Sequence, residues 1–125
     1  MSGQPYRKHL KDVLKRWGDH CYYCGMPLTI ESAQLDHLKP RAKHGGDDPR
    51  NLRPCCNICN SIKGERTLDE SRGRLRLRVA GWPKFTDQQL QWLRARGFDM
   101  SDFDKAVLWF ERNENMQIVS RAIFD

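Results

Sequence analysis

Two Cys-x-x-Cys pairs constrain this chain more than any other feature. Cys21-Tyr22-Tyr23-Cys24 and Cys56-Asn57-Ile58-Cys59 are separated by 31 residues. Two residues between thiolates let both sulfurs reach one ion, and four sulfurs complete a closed tetrahedral zinc site. Such a metal is structural and not catalytic. The chain has 125 residues, 38% of them hydrophobic, so it buries one small core. A metal staple supplies the stability that a small core lacks. A redox role for Cys21 and Cys24 would leave the second pair unexplained. Cys55 is the odd thiol, and x2 spacing assigns Cys56 and Cys59 to the metal. Cys55 is expected as a small buried apolar side chain.

Charge narrows the partner. The net charge is +6, and the excess is central: residues 41–78 carry ten Lys/Arg against five Asp/Glu. Residues 99–125 carry three against six. The basic centre attracts polyanions, of which nucleic acid is the commonest in the cytosol. No run of 18 apolar residues occurs and no apolar stretch follows the N-terminal charges. The expectation is therefore no membrane span, no signal peptide and a cytoplasmic location.

Periodicity sketches the elements. Leu10, Val13, Leu14 and Trp17 recur at helical spacing, which predicts a helix over Pro5–Trp17 stopped by Gly18. Short strands are expected at Gln34–Leu38 and near Leu52, with a loop from Pro40 to Arg50. A helix is expected from Cys56 through Lys63 toward Glu70. Arg72, Arg74, Arg76 and Arg78 alternate with Gly73, Leu75, Leu77 and Val79, which predicts a strand with an arginine face. Thr86 and Gln89 form a capping box opening a helix that Gly97 closes. Another helix is expected from Ser101, burying Phe103, Ala106, Val107 and Phe110. Trp82, Phe85, Trp92, Phe98, Trp109 and Phe110 are expected in the core.

The chemistry lies between and beside the cysteines: Leu35-Asp36-His37-Leu38-Lys39-Pro40, then Gly45-Gly46, Asn51-Leu52-Arg53-Pro54 and Cys59-Asn60-Ser61-Ile62-Lys63-Gly64. Over residues 5–66 this resembles the HNH endonuclease family, whose fold is the ββα-metal motif. The resemblance implies His37 as general base and Asp36 as metal-binding carboxylate. It implies Asn51 as the residue tethering the loop and orienting the base, and Asn60 as a second metal ligand where many members have His. The chain thus reads as an HNN variant. Oxygen ligands imply Mg²⁺ or Mn²⁺ at the catalytic site. The resemblance also implies metal-dependent hydrolysis of DNA, with a double-stranded substrate expected and 5′-phosphate and 3′-hydroxyl products. Adjacent strand residues point to opposite faces, so Asp36 and His37 need a local twist or a spread site; the resemblance implies the base on one side of the scissile phosphate and the metal on the other.

The fold expected is α+β and mostly helical, a zinc-stapled ββα-metal motif flanked by N- and C-terminal helices. One domain over 1–125 divides into the 5–66 core, a basic connecting segment over 67–85 and a helical extension over 86–125. Phosphate contacts are expected from Lys39, Arg41, Lys43, Arg53, Lys63, Arg66, Arg72, Arg74, Arg76 and Arg78. Nothing resembles a base-reading module, so low sequence specificity is expected. The C-terminal helices offer a surface for a homodimer or for a phage or host protein. Met116, Ile118, Val119, Ile123 and Phe124 are read either as a dimer element or as core. Stand-alone members occur in phages, prophages and mobile elements, which implies a bacterial host cell. The rivals are a zinc-stapled DNA-binding module without catalysis and an adaptor using its acidic end. Asp36, His37 and Asn60 would be unneeded in the first.

Overall fold

A computed structural model describes residues 3–112. The first helix, α1 (Gly3–Trp17), buries Leu10, Val13, Leu14 and Trp17 on one face. Each such side chain contributes about 1.5–3 kcal/mol when withdrawn from water. The helix ends as the sequence suggests, with Gly18 at φ +88°. A left-handed residue there costs glycine nothing and any other residue strain.

Strand β1 (Gln34–His37) pairs antiparallel with β2 (Leu52–Cys55), setting Asp36 opposite Arg53 and His37 opposite Leu52. The connection between them makes two short 3₁₀ turns, Arg41–Lys43 and Pro49–Asn51. Helix α2 (Asn57–Lys63) follows β2 at once. Strand, strand and helix form a ββα unit, and α1 packs on β2.

Here the structure departs from the sequence reading. The helix from Cys56 stops at Lys63, closed by Gly64, and does not run on toward Glu70. A separate helix, α3 (Leu68–Ala80), starts with a capping box between Thr67 and Glu70. The predicted arginine-faced strand at Arg72–Val79 is therefore helix. Its Leu75 and Leu77 enter two different apolar clusters. Leu75 joins α1, the cysteine loop and the sheet; Leu77 joins Leu90, Met100 and Phe103. A helix wedged between two clusters has apolar residues on two sides, which mimics alternation.

Helix α4 (Asp87–Ala95) has the expected Thr86–Gln89 capping box, and Gly97 at φ +79° follows its end. Only Leu90 of α4 is buried. The core expectation fails for Trp92 and Phe98, which are 52% and 57% exposed. They lie against each other, and the Arg96 guanidinium covers the Trp92 ring at 4.6 Å. Helix α5 (Ser101–Lys105) is shorter than expected. Ala106 turns extended, and the chain then runs back to the cysteine loop. Trp109 N–H donates to the Tyr23 carbonyl and Phe110 N–H to that of Tyr22. Phe110 stacks on Tyr22 with ring centroids 4.4 Å apart. Leaving the helix buries Leu108 and Phe110 and leaves Val107 exposed. Met116, Ile118, Val119, Ile123 and Phe124 lie outside the described residues. No helix among the described residues is long and apolar enough to cross a membrane.

Candidate metal centre and active site

The four cysteines converge. The sulfurs of Cys21, Cys24, Cys56 and Cys59 lie within 4.8 Å of one another, Cys24 and Cys56 at 3.8 Å. Four thiolates around zinc at ~2.3 Å have tetrahedral edges of about 3.8 Å. Donor type, number and spacing fit one structural zinc. Local backbone builds the arrangement. Cys21 N–H donates to the Met26 carbonyl, and Gly25 N–H returns to the Cys21 carbonyl. Gly25 sits at φ +79°, and a Cβ there would lie 2.2 Å from the Trp109 ring. Cys56 caps α2, its sulfur accepting from Cys59 N–H at 3.3 Å. Arg78 Nη2 stands 3.8 Å from the Cys56 sulfur. Cys55 is buried outside the cluster, and burial pushes its thiol well up, so it is an inert packing residue as expected.

The neighbours Asp36 and His37 face apart. Asp36 is buried, accepting from Lys63 Nζ at 3.1 Å and from the Tyr23 hydroxyl. Burial raises its pKa, with Lys63 and Tyr23 opposing that shift. Lys63 Nζ also donates to the His37 carbonyl at 2.8 Å, so α2 locks onto β1 through one ammonium. Lys63 is fully buried. It partners a carboxylate that would otherwise be a costly uncompensated charge.

His37 looks outward. Its Nε2 lies 2.8 Å from Asp47 Oδ1 in the loop between the strands. Arg41 Nη2 clasps the same carboxylate at 2.8 and 3.0 Å. Hydrogen bonds from His37 and Arg41 hold the Asp47 carboxyl down at about 2. An ionised carboxylate only accepts. Nε2 therefore carries the proton, and a neutral His37 has its lone pair on Nδ1.

Asn51 stitches the loop. Its Oδ1 accepts from Lys39 N–H at 2.9 Å, and its Nδ2 donates to the carbonyls of Lys39 and Gly46. Leu38 N–H adds a bond to the Asn51 carbonyl. These bonds fix both ends of the segment that carries Arg41 and Asp47. Asn60, on α2, donates its Nδ2 to Gln34 Oε1 at 2.7 Å. That bond orients the amide, and among the described residues nothing donates to its Oδ1.

The expected phosphate contacts separate into classes. Lys39, Arg41, Lys43 and Arg74 are exposed. Arg41 holds Asp47, and Lys43 pairs with Glu70 at 2.9 Å. Arg53 and Lys63 are fully buried, so the expectation that they meet a phosphate backbone is corrected. Arg53 lies 3.9 Å over the Trp17 ring and donates to the Arg50 and Leu52 carbonyls. Desolvation lowers its pKa. Arg66 donates to the Ile62 carbonyl. Arg72 pairs with Glu111. Arg76 donates to the carbonyls of Phe103, Asp104 and Ala106. These last two arginines dock the C-terminal segment. Sequence reasoning missed Asp47, Tyr23 and Gln34. Asp47 stood in a run of turn residues, and only the folded loop brings it back over ten positions to His37.

Residues 21–66 match the family model described as HNH endonuclease. The chain is 28% identical over 108 residues to the CRISPR-associated endonuclease Cas9 of Corynebacterium diphtheriae, covering 84% of this chain and 10% of that protein. It is 40% identical over 53 residues to the Cas9 of Actinomyces naeslundii, covering 42% and 5% respectively. The chain thus spans a tenth or less of the curated relatives it matches. The crystal structure of the Type II-C Cas9 enzyme from Actinomyces naeslundii superposes with a TM-score of 0.51 at 24% identity, covering 76% of this chain and 12% of that one. That likeness supports the ββα fold.

Proposed function

We propose that this chain, an HNH-family protein through residues 21–66, is a metal-dependent DNA endonuclease. The observation that carries the reading is the opposed pair on β1. Asp36 is drawn inward beside α2, and His37 turns outward with Nε2 anchored on Asp47. Phosphodiester hydrolysis needs an activated water on one side of phosphorus and a stabilised leaving oxygen on the other. One strand that sends a base and a carboxylate in different directions meets both needs.

His37 is the general base, taking a proton from water at Nδ1. A neutral imidazole with a free lone pair can accept that proton. Asp47 fixes the ring and favours the imidazolium as it forms. Asn51 holds the loop that presents Asp47. Asp36 and the Asn60 Oδ1 are the oxygen donors for a hard cation, Mg²⁺ or Mn²⁺. A carboxylate has about four lone-pair sites, of which Lys63 and Tyr23 take two, so Asp36 keeps acceptor sites for a cation. Such a cation supplies charge stabilisation at the phosphate and leaving oxygen. The products are then a 5′-phosphate and a 3′-hydroxyl. Phosphates are met by exposed cations near the site, Lys39 among them, and sequence specificity is low.

The test is supercoiled plasmid incubated with zinc-loaded protein in Mg²⁺, Mn²⁺ or EDTA. Relaxed circles in either cation and none in EDTA support the reading. Tight DNA binding without cutting under every condition would instead favour a zinc-stapled binding module.

A further inference from the structure

A groove of about 750 Å³ opens between α2, α3 and the start of α4. Arg66, Arg74, Arg78 and Lys84 line it with Trp82 and Phe85, and among the described residues no carboxylate does. The lining explains how α3 divides its arginines. Arg72 and Arg76 are spent on Glu111 and on the carbonyls near α5. Arg74 and Arg78 lie on the groove. Arg74 and Lys84 are exposed and form no ion pair among the described residues. Trp82 is braced: Phe103 stacks beneath it at 5.9 Å and Phe85 meets its edge at 6.4 Å. A braced indole beside unpaired cations is a platform for planar groups on an anionic chain. Ile58, Ser61 and Ile62 form the α2 wall of the groove.

We infer that this groove binds an unpaired stretch of nucleic acid, bases against Trp82 and Phe85 and phosphates against Arg74 and Lys84. The inference rests on the endonuclease reading and names its substrate class, a nucleic acid with an unpaired strand or flank. Positive grooves with aromatic platforms bind single strands because every base has a stackable face. The volume falls in the ~300–1,000 Å³ range of compact ligand sites, room for a nucleotide or so and not for a duplex. An acidic peptide shares the charge but has no regular planar groups to stack.

The experiment uses the zinc-loaded full chain carrying His37→Ala, so that binding is read without cutting. Fluorescein-labelled oligo-dT, a duplex of equal length and polyglutamate are compared by anisotropy, with and without Arg74→Glu/Lys84→Glu. Oligo-dT is expected to quench tryptophan fluorescence and to lose at least ten-fold in affinity in the double variant. Its salt slope should fall by about 1.4, the value for two lost single-strand phosphate contacts. Duplex binding should change several-fold less. Both substituted residues are exposed, and zinc content confirms the fold. Unchanged oligo-dT binding overturns the inference, as does equal loss with the duplex, or polyglutamate competing as well as oligo-dT. Plasmid cutting by the unsubstituted chain is scored separately. Cutting with a silent groove sinks this inference alone, and groove binding without cutting sinks the catalytic reading alone.

Discussion

Asp47→Ala isolates the carboxylate that orients the base. The bond to His37 Nε2 is 2.8 Å and charge-assisted. Such bonds contribute about 1.5–3 kcal/mol. Asp47 is 47% exposed and shares its charge with Arg41, which favours the lower end. At about 1.36 kcal/mol per decade, ~1.5 kcal/mol is roughly a twelve-fold loss of kcat, and ~3 kcal/mol caps it near 150-fold. KM for DNA should hold or fall slightly, because an anion beside the phosphate is removed. The Asp47 carboxyl is held at about 2, so it is ionised at any working pH. The assay is single-turnover cleavage of an end-labelled strand, with zinc content matched between proteins. Asp47→Glu should recover part of the rate. A variant cutting as fast as or faster than the parent would refute the reasoning, showing that Asp47 restrains His37 in a resting position.

Three further outcomes follow from the geometry. Each folded chain should hold one zinc, and a strong chelator should unfold it, read by near-ultraviolet dichroism and metal release; Cys59→Ser should not retain the metal. Lys63→Met should destabilise the fold by about 3–5 kcal/mol in urea, because Asp36 is left buried and uncompensated. A cost under about 1 kcal/mol would mean that Asp36 is neutral or hydrated there. Arg76→Ala should cost about 1–3 kcal/mol through the carbonyls of Phe103, Asp104 and Ala106, with oligonucleotide affinity within two-fold of the parent.

The metal frame, the two strands, α1 and the start of α4 were legible in the sequence because each rests on local signals. Cysteine spacing, the α1 apolar stripe and the Thr86 capping box all act within a few residues. Thr67 and Glu70 gave an equally local signal for α3, but the Arg–Leu alternation masked it. Leu75 and Leu77 serve different clusters, so no single face of α3 is apolar. The end of α5 was illegible for a different reason. Ala106 leaves the helix so that Trp109 and Phe110 can bond the backbone of Tyr23 and Tyr22, nearly ninety positions earlier. Distance in sequence likewise hid the roles of Arg53 and Lys63. A lysine on a short helix reads as a phosphate contact until the fold buries it against Asp36.

The most direct measurement is single-turnover cleavage of an end-labelled DNA strand in Mg²⁺ by the zinc-loaded chain and by His37→Ala. The parent should leave a 5′-phosphate and a 3′-hydroxyl, and His37→Ala should cut about 10²–10⁴-fold more slowly at equal zinc content and equal DNA affinity. Equal rates for the two proteins, or no cutting by the folded parent, would contradict His37 as the base of a nuclease site.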